Sequence, residues 1–347
     1  MQQYPNPQIS YSQQGLAAEY IKQNEKHILR RKSSGIGFFI FFYSIMMEVI
    51  AFFIKMIFEY SGINLYQNYF AENLFYIASS VGAAFITGMI YLAASRYKLR
   101  ESFRKTYVSP TLLIPLIFIG MAVAMAANYA TFLFDSNFSI FGLENQAGTE
   151  TLGFYSTPEI ILYILSTAIV PAFAEEFAFR GIIMGSLRKY GNSFALLMSS
   201  VMFASMHANT SQIVFAFILG LILGYIDIVA DSIIPSVILH FLNNFYAVLM
   251  DVFYSNSDLD NSASYIIQTA LIILFCFAGL LSFIYLSLKD KNSFRISSKE
   301  KSEYTYSDVL SYKEKIGAFF INPGIIISLC YLLATTIYNL IPRYLLL

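Results

Sequence analysis

The chain has 347 residues, of which 57% are hydrophobic and 13% charged, and its mean hydropathy is +0.58; a soluble domain carries roughly 45 to 50% apolar and about 25% charged residues. This balance excludes an ordinary soluble globular protein and predicts an all-α fold, a polytopic transmembrane helix bundle. The 22 basic and 22 acidic side chains cancel and are segregated between loops and helices, so no basic patch points to a nucleic-acid partner and the lipid bilayer is the expected surrounding.

A helix crosses the hydrocarbon core with about 20 mostly apolar residues. In chain order such runs fall at 36–58, 73–95, 110–135, 159–179, 193–208, 211–229, 233–253, 264–288 and 323–341, which makes eight or nine spans. A polar segment at 1–35, rich in Gln and Tyr and without a cleavage-site pattern, precedes a first helix that reads as retained. The spans divide into N-terminal helices at 36–135, a central core at 159–253, and C-terminal helices at 264–347 with a basic linker at 289–322.

Loop charge orients the bundle, because short cytoplasmic loops carry the excess of Lys and Arg. Lys22, Lys26, Arg30, Arg31 and Lys32 precede span one; Arg96, Lys98, Arg100, Arg104 and Lys105 follow span two; Arg188 and Lys189 follow span four; and seven basic residues occupy 289–315. The connections at 59–72 and 136–158 have no Lys or Arg. A multi-pass plasma-membrane protein with a cytoplasmic N-terminus is expected. Cys276 and Cys330 lie in apolar runs without CxxC spacing, so both are expected as buried structural thiols. Glu48 and Lys55, seven apart in span one, lie nearly on one face and could pair through the bundle interior.

Ionisable groups inside apolar runs are costly and usually functional. Of the three histidines, His207 and His240 lie in such runs, as do Glu175, Glu176 and Arg180. Glu176 and Arg180 are four apart on one helix face and can form an ion pair. Glu175 is turned about 100° from Glu176 and has no cation on its own helix, as suits a general base. Both glutamates serving a structural polar network is the alternative. Glu175 lies 16 residues before Gly191 and His207 16 after it, so a hairpin at Gly191 sets both about 24 Å from the turn. Phe203, one turn before His207, walls the site.

His240 and Asn244 repeat the four-residue spacing, and their N–H groups suit a developing oxyanion; Asn244 could equally bond a neighbouring helix. Pro171 and Pro235 precede Glu175 and His240 by about one turn and can kink their helices. One count resists: with Asp231 as the inner turn, His240 is only about 14 Å up its helix. A turn around Lys189 that extends well beyond the membrane is the favoured explanation, a tilted or broken sixth span the other.

Glu175-Glu176-xxx-Arg180, Phe203-xxx-His207 and His240-xxx-Asn244, in this order on adjacent apolar helices, resemble the EExxxR, FxxxH and HxxxN motifs of the CAAX prenyl endopeptidase and bacteriocin-processing (CPBP or Abi) intramembrane proteases. The resemblance covers about 159–250. It implies that Glu175 and His207 activate water, that His240 and Asn244 stabilise the oxyanion, and that Glu176 and Arg180 support them. The family is widely labelled metalloprotease. Glu175, His207 and His240 could supply a zinc site with one open position, yet the same residues serve a metal-free dyad and the sequence does not require zinc.

The sequence therefore reads as an intramembrane endopeptidase acting on a membrane-associated peptide or protein, such as a leader-bearing peptide or a membrane-protein segment. A non-enzymatic immunity or scaffolding protein and a transporter with a Glu-His proton relay are the rival classes.

Overall fold

The computed structural model describes residues 11–65, 68–95, 97–98, 104, 106–140, 156–255, 261–289, 294 and 309–340. Among them are ten helices and no strand: α1 (Tyr11–Tyr60), α2 (Tyr69–Ser95), α3 (Pro110–Ile140), α4 (Thr157–Tyr190), α5 (Asn192–Met206), α6 (Thr210–Ala230), α7 (Ile234–Ser255), α8 (Asn261–Lys289), α9 (Tyr312–Phe320) and α10 (Pro323–Leu340). Lipid offers backbone groups no partners, so apolar runs of this length satisfy their hydrogen bonds within the helix. Eight helices are long and apolar enough to cross a membrane, and α5, at 15 residues, is shorter. The chain is a polytopic helical bundle, as its composition predicts. Much of the basic linker and the loop at 141–155 lie outside the described residues.

Two apolar cores meet along α6. One joins α1, α2, α4, α5, α9 and α10 through residues such as Ile36, Phe179, Phe203 and Ile325. The other joins α3, α7 and α8 to the opposite side of α6, through Leu116, Leu223, Leu239 and Leu286. On the first side α1 and α10 approach so closely that a Cβ on Gly37 would lie 2.1 Å from the Gly324 backbone. The candidate residues on α4, α5 and α7 fall where these two halves adjoin.

One end of the bundle gathers the charged connections. Asp227, fully buried, accepts from Arg104 at 2.5 Å and lies 3.6 Å from Arg188, which also reaches Asp231 at 3.4 Å. Lys32 donates to the carbonyl of Ser186 and Lys315 to that of Tyr190. The N-terminal segment meets α9 through Lys22 and Glu314, 2.8 Å apart, and Ser311 with Glu314 forms a capping box that starts α9. Lys22 and the donors of Ser311 hold the Glu314 carboxyl down at about 2. The basic segments thus share one end of the molecule, as the loop-charge pattern requires.

Several expectations need correction. Arg188 and Asp231 are in contact, so the turn at Lys189 does not extend far beyond the inner turn of α7. Pro235 occupies the first turn of α7, where a missing N–H costs nothing, and so gives no cause for a kink before His240. Cys276 and Cys330 are exposed, because their helices turn those faces outward to where lipid would lie. Glu48 is exposed and Lys55 instead lies 3.7 Å from Glu59, one turn on.

Candidate active site

Helix α4 is not uniformly wound. Ile164–Ile169 and Phe177–Met184 are π-helical, on either side of the α-helical Val170–Glu176. A π turn closes on the fifth residue rather than the fourth, and such segments recur at functional sites. More residues per turn mean less advance per residue. Eight π-wound residues lie between Glu176 and the inner turn, and Glu176 meets His240, which is only six residues into α7. Side chains occupy backbone groups around these stretches: Ser199 donates to the carbonyl of Phe179 at 2.9 Å. Pro171 has no N–H for the carbonyl of Thr167 four residues back, and the Asn244 amide donates to it at 3.3 Å.

The two glutamates have separate environments. Glu176 is fully buried, with Oε1 2.9 Å from Arg180 and 2.9 Å from His240 Nδ1. Arg180, 1% exposed, stacks over the Phe203 ring at 4.6 Å and donates to the carbonyl of Gly220 at 3.3 Å. A Cβ on Gly220 would come within 3.2 Å of both Phe203 and Ser200, so glycine lets α6 approach this guanidinium. The expected Glu176–Arg180 pair forms, and His240 extends it into a triad across α4 and α7. Glu175, by contrast, keeps 22% of its side chain exposed and faces His240 Nε2 at 3.8 Å.

The tautomers follow from the partners. A carboxylate and a carbonyl only accept, so His240 carries hydrogen on Nδ1 toward Glu176, and His207 carries hydrogen on Nδ1 toward the carbonyl of Phe203 at 2.9 Å. In each ring Nε2 is the nitrogen left for chemistry. The Phe203 ring packs on both imidazoles, edge to face with His207 at 4.9 Å and with His240 at 5.9 Å. Ala174 and Met206, the neighbours of Glu175 and His207, both pack on the cluster of Tyr43, Ala83 and Ala84, in keeping with a common depth for Glu175 and His207. The two make no direct hydrogen bond among the described contacts.

Zinc needs three protein ligands around one point. Among the described residues no three His, Cys, Asp or Glu side chains are grouped to hold a metal ion. Glu175, His207 and His240 as arranged here do not fit such a site.

Two features escaped sequence reasoning, the Asp227–Arg104–Arg188 cluster and the closeness of Tyr43 on α1, whereas the bond from Asn244 to Thr167 is the neighbouring-helix alternative. Asp227 alone left a signal, an acid inside the apolar run of α6. The Asn244 amide also accepts from Asn243 at 3.1 Å, which gives Asn244→Ala two distinguishable outcomes. A fall in melting temperature with kcat intact is expected if the residue only closes the gap left by Pro171. A loss of kcat of about 10²- to 10³-fold at unchanged KM would make it an oxyanion donor.

Residues 157–246 match the family described as type II CAAX prenyl endopeptidase, Rce1-like. No curated protein and no solved structure matches the chain.

Proposed function

From the match of residues 157–246 to the Rce1-like CAAX protease family we propose that the chain is a member of that family and an intramembrane endopeptidase in which Glu175 activates water against a peptide bond of a membrane-associated substrate. The observation that carries the reading is the division of labour between adjacent carboxylates. Glu176 is fully buried and bound to Arg180 and His240, whereas Glu175 is open and turned toward the free nitrogen of the same histidine. At 3.8 Å the gap exceeds a direct hydrogen bond and suits a water held by both groups.

In this mechanism Glu176 and Arg180 fix the ring of His240, as an orienting acid fixes the base of a catalytic triad. Water between Glu175 and the imidazole nitrogens of His240 and His207 attacks the carbonyl carbon as Glu175 takes its proton. The carbonyl oxygen gains negative charge and is met by the second N–H of the Asn244 amide, whose first is held by the carbonyl of Thr167. The tetrahedral species then collapses: the C–N bond breaks, and Glu175 returns the proton to the leaving amine. No step is routed through a metal.

The test is cleavage by the purified full chain in micelles or proteoliposomes, read by mass spectrometry. Prenylated C-terminal peptides, in keeping with the family description, are offered beside unmodified leader-bearing and membrane-spanning peptides. A new amine and carboxyl terminus at one bond is the expected product; intact peptides in every arm would sink the proposal. Exhaustive chelation is expected to leave turnover unchanged, and activity lost on chelation and regained with added Zn²⁺ would replace the metal-free scheme with a zinc-based one.

A further inference from the structure

Helix α5 carries Phe203 and His207 and ends abruptly. His207 is its C-cap, Ala208 has φ of +48°, and Asn209 already caps α6, its side chain accepting from the N–H of Gln212 at 3.2 Å. The turn that aims His207 is therefore a single left-handed residue. That conformation is routine for glycine and uncommon for a residue with a Cβ, so Ala208 needs support from outside the turn. The contact comes from the far end of the chain: Asn339, near the end of α10, donates its side-chain amide to the carbonyl of Ala208 at 2.9 Å.

Helix α10 is itself anchored. Its first turn bonds to α1 through Gly324 N–H and Ser34 Oγ at 3.1 Å, beside the close approach of Gly37 to Gly324. The preceding helix α9 sends the buried Lys315 to the carbonyl of Tyr190, two residues before α5 begins. The C-terminal pair α9–α10 thus grips α5 near both ends, from outside the segment that matches the family.

We infer that Asn339 is a positioning residue for His207: by holding the Ala208 carbonyl it keeps the left-handed turn closed and directs the imidazole, through its Nδ1 bond to Phe203, so that Nε2 faces the site. The catalytic meaning of that geometry rests on the proposed function; the geometry itself does not.

The experiment uses full-length protein labelled with ¹⁵N-histidine. With three histidines in the chain, the imidazole spectrum is assigned by single His→Gln variants. Asn339→Ala should shift the His207 ring signals, altering the balance between its tautomers, and leave those of His240 unmoved. Where peptidase activity is measured, kcat should fall by about five- to tenfold, the scale of one lost hydrogen bond, at unchanged KM. Ala208→Gly added to Asn339→Ala should recover most of both effects, because glycine holds a positive φ unaided. His207 signals identical to the parent, whatever the melting temperature, would reduce Asn339 to a packing residue and overturn the inference. Asn339→Leu, of similar shape and without a donor, carries the same reading if the alanine variant does not fold. Absent peptidase activity in the parent would count against the protease reading alone, since the spectrum reports the turn without substrate.

Discussion

Glu175→Gln is expected to remove peptide hydrolysis, with a loss of at least about 10²- to 10⁴-fold, while expression, membrane insertion and melting temperature stay at parental values. The size is that of a general base. The harmlessness to the fold follows from the surroundings, because Glu175 keeps 22% of its side chain exposed and its approach to His240, at 3.8 Å, is longer than a direct hydrogen bond. Glutamine matches the shape and cannot accept the water's proton. Cleavage assays beside thermal unfolding decide the matter, and full activity in this variant would remove Glu175 from the mechanism.

Arg180→Ala and Glu176→Ala should behave in the opposite way and lower folded yield before any assay is run. Each leaves a buried charge without its partner, typically at a cost of about 3 to 5 kcal/mol. Arg180 also loses its stacking on Phe203 and its bond to the Gly220 carbonyl, and Glu176→Ala frees His240 to rotate. Replacing both residues with apolar ones of similar volume, as in Glu176→Leu with Arg180→Met, should restore much of the stability but not the activity, since no group then orients His240. Normal melting temperatures in both single variants would show that the ion pair contributes nothing to the fold.

What the sequence disclosed was whatever repeats with the helix. Glu176 and Arg180 pair at four residues, the apolar runs recur as helices, and the equal counts about Gly191 give Glu175 and His207 neighbours that share one apolar cluster. Winding is less legible. Nothing in Phe177–Met184 marks it as π-helical, and no spacing in the sequence makes His240 a partner of both glutamates. The same limit applies to Arg104, Arg188 and Asp227, which belong to three separate segments and meet only once the helices are packed. Asn339 lies 131 residues from Ala208, and no local pattern joins them.

The two cysteines that point away from the bundle make the chain self-reporting. Cys276 lies near the middle of α8 and Cys330 within α10, so a nitroxide or fluorophore on either thiol would read bilayer depth without an engineered site. A probe at Cys330 sits on the very helix that carries Asn339. Its mobility would register whether α10 stays seated while a peptide is being cut, and Cys276, on a helix of the other core, supplies the reference in the same molecule.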